Sequence, residues 1–367
     1  MVYHEIKTWQ GIAKPVMMVL RKVLFFATEM HYWAFSATIG RSIMKKKILN
    51  CLFAGVAAVG LSTAATSAQA VDLPCKTAKL IVPWGAGGGT HILFTLIEKT
   101  ISTLDVKTKL KVVTIGGQGG NKGAKEAHNS KPDGCTLFAI HQSAFTSYLN
   151  GRIDYHYNGF EPIAMVTSTP DIVGASTAMP WNNFADMKKA VLADPGKYTV
   201  GATFGSTSQF YWQVLESKTG MKFKYVPYDG TAQRTKALLS GTINLGGINV
   251  AANRKHIEGK SVKAFAIAAA KRSSFFPDLP TLTELGIDMV YALDRGIVAP
   301  LGTSSDVINY WADVLKQATQ DAGLQKAIAA KGTDLVFVGP KPYAAWAKKT
   351  YAEHEKIAIA TGAWKKK

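Results

Sequence analysis

Signatures of metal and nucleophilic chemistry are missing from this 367-residue chain. Its eight histidines are dispersed without metal-ligand spacing, and no H-E-x-x-H, C-x-x-C or G-x-S-x-G occurs. No catalytic residue, metal or cofactor is therefore expected. Nucleotide signatures are missing as well. There is no G-x-x-x-x-G-K, and a G-x-G-x-x-G read from Gly85 meets Thr90 where its last glycine belongs. Acid is scarce: 25 Asp plus Glu stand against 43 Lys plus Arg, a formal charge of +18. Eight of those bases and two of those acids lie in the first seventy residues, so the remainder carries +12. The lysines are scattered rather than gathered in a stripe, which argues against nucleic acid and for attraction of small anions.

What is present begins with an export signal. Met44-Lys45-Lys46-Lys47 is a basic start, residues 48–61 are apolar, and Ala68-Gln69-Ala70 is a small-x-small cleavage site. The apolar run is too short for a stable transmembrane helix, and no lipobox precedes a cysteine near the cut. Cleavage after Ala70 and a soluble exported protein are expected. Residues 1–43 precede a complete signal layout, so translation is expected to start at Met44, the alternative being a long cleaved leader. Cys51 lies in the signal, leaving Cys75 and Cys135, each just before an apolar strand. In an oxidising compartment they are expected to pair, with two buried free thiols as the alternative. If the two strands are sheet neighbours, a bridge would tie their starting ends together.

The stretch of residues 79–98 organises the rest. Residues 80–84 are an apolar segment suited to a buried parallel strand. Gly85, Gly87, Gly88 and Gly89 permit a tight turn with positive φ. Thr90 then reads as a helix N-cap, and Leu93, Phe94, Leu96, Ile97 and Ile101 recur at helical spacing. Strand, glycine turn and helix start converge N–H groups and a positive helix end on one point, which favours an anion, with a carboxylate ahead of a phosphate. The device repeats. A strand at 109–115 leads to a second glycine turn, 116–121, and a helix. Pro132-Asp133-Gly134 turns into a strand at 135–141, after which Gln142 and Ser143 open a short helix.

Segments 163–168 and 171–175, broken by Pro170, read as a crossing to a second domain. There a strand at 198–203, a turn at 205–209 and a helix follow. Next come a strand at 222–228 ending in Pro227-Tyr228-Asp229-Gly230, a helix to 240, and strands at 243–249 and 262–269. Residues 290–299 read as the return crossing. A core-facing helix at 303–320, a strand at 335–338, a closing helix at 342–360 and a lysine tail complete the chain. Strands alternating with helices mean parallel α/β sheets with ligands beyond the strands' carboxyl ends.

At these residues the chain resembles the Bug family, periplasmic solute receptors of the tripartite tricarboxylate transporter type. The resemblance rests on Val82-Pro83-Trp84-Gly85-Ala86-Gly87-Gly88-Gly89-Thr90, the turn from Gly116 to Asn121 followed by Lys122-Gly123-Ala124, and Pro132-Asp133-Gly134-Cys135-Thr136-Leu137. Gly205-Ser206-Thr207-Ser208, Val226-Pro227-Tyr228-x-Gly230, Ala270-Lys271-Arg272 and Leu279-Pro280-Thr281 continue it in order. It implies a two-domain periplasmic-binding-protein (Venus-flytrap) fold, each domain a mostly parallel sheet flanked by helices, joined by extended hinge crossings. Domain 1 would be 71–171 plus 292–367, and domain 2 would be 172–291. It also implies no catalysis, a monomer, a small carboxylate ligand and a two-subunit membrane permease as partner. An exported α/β hydrolase or oxidoreductase acting on a small anion is the rival class. Two departures touch the presumed cleft: His91 stands where the family has Asp, and Asp229 where it often has Lys. A minor one is that Ile115-Gly116-Gly117 lacks the family's usual proline.

The candidate ligand-binding residues are Gly87, Gly88, Gly89 and Thr90 at the first turn, Gly120 and Asn121 at the second, and Thr207 and Ser208 across the cleft. Trp84 and Tyr228 are candidate walls, with Ser143 and Asn249 following their strands. His91, as an imidazolium, would strengthen carboxylate binding at low pH, against the positive helix end.

Overall fold

The computed structural model describes residues 71–362. The export signal, the stretch before it and the lysine tail lie outside the described residues. In chain order the elements are β1 (Thr77–Val82), α1 (Gly89–Thr103), β2 (Lys109–Thr114), α2 (Asn121–His128), β3 (Thr136–Ile140), α3 (Ser143–Leu149) and β4 (Phe160–Ser176). There follow α4 (Phe184–Ala193), β5 (Thr199–Ala202), α5 (Thr207–Thr219), β6 (Lys224–Pro227), α6 (Thr231–Leu239), β7 (Leu245–Asn249), α7 (Val250–Glu258) and β8 (Val262–Ile267). The chain closes with β9 (Ala292–Pro300), α8 (Ser305–Gln320), α9 (Ala322–Ala329), β10 (Asp334–Val338) and α10 (Pro340–Ala360).

The strands run in the order β2-β1-β3-β9-β4-β7-β5-β6, with β10 and β8 also paired to β4. The long strand β4 serves two sheets. Its first part pairs β9 from Phe160↔Pro300 to Pro170↔Ala292, and its last part pairs β7 from Asp171↔Asn249. Pro170 therefore sits where one ladder ends and the other begins, a place where a missing N–H is cheap. The expected break at Pro170 is thus a handover within one continuous strand.

Each half contains three parallel strands, β2-β1-β3 and β6-β5-β7. Everything paired to β4 and β9 is antiparallel. Mixed sheets replace the mostly parallel ones expected, because the two crossing strands run against their neighbours. Helices α7 and α9 did not register as helical spacing in the sequence. Two of the cores, around Leu80, Phe94 and Trp311 and around Phe138 and Tyr343, pack on the first half. Two more, around Trp212 and Leu215 and around Ile172 and Leu238, pack on the second. Helix α10 contributes Tyr343 and Ala347 to the first half and Ala358 to the second.

The expected bridge is present. Cys75 and Cys135 are joined with Cα atoms 6.0 Å apart, at the starts of β1 and β3, which pair in parallel from Lys79↔Thr136. Val307, Ile308, Trp311, Leu315 and Ala318 on α8 are buried, and Trp311 Nε1 donates to the Gly134 carbonyl at 3.0 Å.

Candidate functional site

The strand ends that carry glycine and hydroxyl residues face one another across a cavity of about 530 Å³, its open mouth included. From the first half, Gly88, Gly89, Thr90 and His91 line it at the start of α1, with Trp84 and His141 beside them. From the second, Thr207 and Ser208 line it at the start of α5, with Gly230 and Thr231 before and at the start of α6, and Asn249 at the end of β7. The first N–H groups of a helix have no carbonyl partner within it, so α1 and α5 both offer donors here.

Thr90 is not the N-cap. Gly88 caps α1 in extended conformation, and the Thr90 hydroxyl lies inside the first turn, accepting from Arg295 Nε at 3.0 Å. Burial of that guanidinium decides its role. Gly87 supplies the turn with φ +81° but stands outside the cavity lining. Gly89 has no room for a side chain: a Cβ there would lie 2.2 Å from Asn249 Oδ1 and 3.4 Å from Arg295 Nη2. Across the cleft, Ser208 Oγ accepts from the Thr203 N–H at 2.8 Å, fastening its own turn. His91 Nδ1 accepts from the Gly87 N–H at 3.4 Å, a bond that a proton on Nδ1 would remove.

The charges in the cavity come from residues that sequence reasoning missed. Arg295, on β9, is 1% exposed, and Arg234, on α6, is 6% exposed. Arg295 Nη1 donates to Thr169 Oγ1 at 2.7 Å and to the Leu293 carbonyl at 3.2 Å. Arg234 donates to Thr203 Oγ1 at 2.6 Å and to Thr231 Oγ1 at 3.1 Å, while its Nε has no partner. Burial lowers each guanidinium to about 10, still cationic at neutral pH. Asp171, at the handover point of β4, is 4% exposed. Burial raises its carboxyl to about 6, against the pull of Arg234 and Arg295. Asn249 is 2% exposed, and both polar atoms of its amide lack a partner.

His141 is neutral. Burial, then Arg295, hold it well below the usual range. Its Nδ1 accepts from the Ser143 N–H at 3.1 Å, and its ring stacks on Trp84 at 4.1 Å.

Besides Gly87, four sequence candidates lie outside the cavity lining. Gly120, Asn121 and Ser143 line a second cavity of about 340 Å³, on which Trp84 also borders. The stacked Trp84–His141 pair stands between it and the charged cleft, and Asn121 Oδ1 accepts from Ser147 Oγ at 2.8 Å. Tyr228 lines a rim opening with Arg152, Phe204 and Asp229. At that rim the halves touch: Arg152 Nη1 donates to the Phe204 carbonyl, and Thr146 Oγ1 to the Gly205 carbonyl at 3.1 Å.

A signal for two of the missed residues was present. Asp171 stands directly before the apolar run Ile172-Val173-Gly174-Ala175, and Arg295 follows Asp294 directly before Gly296-Ile297-Val298. Buried charges are rare unless employed. Arg234 carried no comparable mark.

Residues 111–362 match the family described as Tripartite tricarboxylate transporter family receptor. Protein BugT of Bordetella pertussis is 26% identical over 293 residues, covering 78% of this chain and 90% of that one. Among solved structures, an R. palustris protein with adipate is similar with a TM-score of 0.75 at 23% identity, over 79% of this chain and 99% of that one. MatC from Rhodopseudomonas palustris with bound malate is similar with a TM-score of 0.73 at 22% identity, over 77% and 99%.

Proposed function

The chain belongs to the tripartite tricarboxylate transporter receptor family, and from that premise we propose that it captures a small carboxylate between two hinged lobes in the periplasm. The lobes are taken as 71–171 with 292–367, and 172–291, with β4 and β9 as the hinge. The observation that carries the reading is the pair of buried guanidiniums, Arg295 from one half and Arg234 from the other, facing one cavity with the unpartnered Asn249 amide. Two cations withdrawn from water are costly unless anions join them, and Asp171, the one carboxylate in the lining, balances only one of the two. The helix starts at Gly88–Thr90 and at Thr207–Ser208 add N–H donors and two positive helix ends.

A ligand bound to donors from both halves favours the closed form by its differential affinity. Adipate and malate, found with the two similar proteins of known structure, each carry two carboxylates, the number that two guanidiniums can meet. Delivery to a membrane permease is the proposed use, with sensing as the other outlet of the same closure.

A thermal-shift screen of carboxylates, with amines and sugars as controls, tests the reading. Because ligand binds only the folded form, a carboxylate at a hundred times its Kd should stabilise by about 2.7 kcal/mol. It should also be recovered unchanged after incubation. A screen in which only sugars or amines raise the midpoint, or in which a carboxylate is converted to product, overturns it.

A further inference from the structure

The cleft holds more than an anion needs. A plain dicarboxylate offers only hydrogen-bond acceptors, yet the cavity presents two acceptors of its own, the Asp171 carboxylate and Asn249 Oδ1. Among the described residues no side chain donates to the Asp171 carboxylate, and only the fields of Arg234 and Arg295 act on it. Packed around it are those two cations and the phenols of Tyr211 and Tyr291, both neutral. The Tyr211 hydroxyl has no partner of its own. With two carboxylates bound, Asp171 would become a third buried anion facing two others.

We propose that the ligand carries an ammonium group as well as two carboxylates: an acidic amino acid rather than a plain dicarboxylate. This rests on the carboxylate reading and narrows it. The cleft's charges are then met one for one. Each guanidinium takes a carboxylate, and the ammonium sits against Asp171 with Asn249 Oδ1 as a further acceptor. The charges that line the cavity, two cations and one anion, match a ligand of net −1. Asp294, whose carboxylate also acts on Arg295, stands outside the lining and already accepts from Ser168 Oγ at 2.6 Å and Gln142 Nε2 at 2.9 Å. Asn249 Nδ2 and Arg234 Nε, both without partners, are left to donate to the carboxylates. At neutral pH Asp171 is ionised and both arginines are charged, so the match holds under ordinary conditions. A hydroxy-dicarboxylate supplies a donor but leaves one negative charge in excess, and ranks between the two.

The test is isothermal titration of the exported chain with glutamate and aspartate, with their des-amino counterparts glutarate and succinate, and with malate. The wild type should bind the better amino acid at least tenfold more tightly than its des-amino partner. Asp171→Asn, nearly isosteric, should lose that preference and gain affinity for succinate or glutarate. Should Asp171→Asn fail to fold, the wild-type series alone decides. A wild type that prefers succinate or glutarate, or a folded Asp171→Asn that keeps the amino-acid preference, overturns the proposal while leaving the carboxylate reading intact. Binding by none of the five overturns the proposal, and the broader carboxylate screen then decides the carboxylate reading by itself.

Discussion

Gly89 is the position where a single methyl group separates fold from function. In Gly89→Ala the new Cβ would lie 2.2 Å from Asn249 Oδ1 and 3.0 Å from its Cγ. Neither is a tolerable contact, and the yielding group is the Asn249 side chain, which must swing away from α1. The fold should survive. Gly89 is the first residue of α1, where Ala has the better helix propensity by up to about 1 kcal/mol, offsetting part of the local crowding. Binding should not survive as well. The displaced amide forfeits its bonds to the ligand, one of them to a charged carboxylate, and it intrudes on the cavity. At about 1 kcal/mol for a neutral bond and about 1.5–3 for a charged one, the loss comes to roughly 2.5–4 kcal/mol. That is a weakening of Kd by roughly 70- to 1000-fold. Titration with the tightest carboxylate from the screen reads the loss, and the ligand-free thermal midpoint reads stability. A variant that binds within threefold of wild type would show that Asn249 and the start of α1 do not touch the ligand.

The disulfide closes a loop of 60 residues, so Cys75→Ala with Cys135→Ala should lose roughly 4 kcal/mol in oxidising urea titrations. A loss below about 1 kcal/mol would contradict the bridge's stabilising role. Asp171, raised to about 6 in the folded protein, stabilises it most below the unfolded value near 4, and that stabilisation is lost as pH rises through about 6. The wild type without ligand should therefore fall by on the order of 3 kcal/mol relative to Asp171→Asn between pH 4 and 7. Parallel stability curves for the two proteins would place Asp171 in water. Arg152→Ala removes an exposed contact between the halves at the Phe204 carbonyl. It should weaken ligand affinity no more than about fivefold, as suits a bond worth up to about 1 kcal/mol. A hundredfold loss in the same titration would make Arg152 a ligand residue.

Alternating apolar strands and glycine turns made the two-lobed α/β plan legible, because strand, turn and helix are local patterns. The bridge between Cys75 and Cys135 was legible from their place before two apolar strands, whereas that those strands are neighbours came only from the structure. Sheet direction was not, since whether β9 and β4 run with or against their neighbours depends on contacts far apart in sequence. At the site, backbone donors were easier to foresee than charges. Gly88, Gly89 and Thr207 sit at helix starts, where the chemistry is local. Asp171, Arg234 and Arg295 meet only because the handover point of β4, the first turn of α6 and the early part of β9 come together at one cavity. Gly120, Asn121 and Ser143 repeat the local pattern faithfully but face the other side of the Trp84–His141 stack, which no local pattern records. Thr90 shows the same limit: its hydroxyl serves a guanidinium 205 positions away instead of its own helix.

A crystal structure of the protein grown with the tightest carboxylate of the screen tests the central claim most directly. The expected result is a carboxylate within hydrogen-bond distance of Arg234 and of Arg295, with Asn249 donating to one of its oxygens. Ligand density in the cavity beyond Trp84, with both guanidiniums still bound only to threonines and the Leu293 carbonyl, would contradict it.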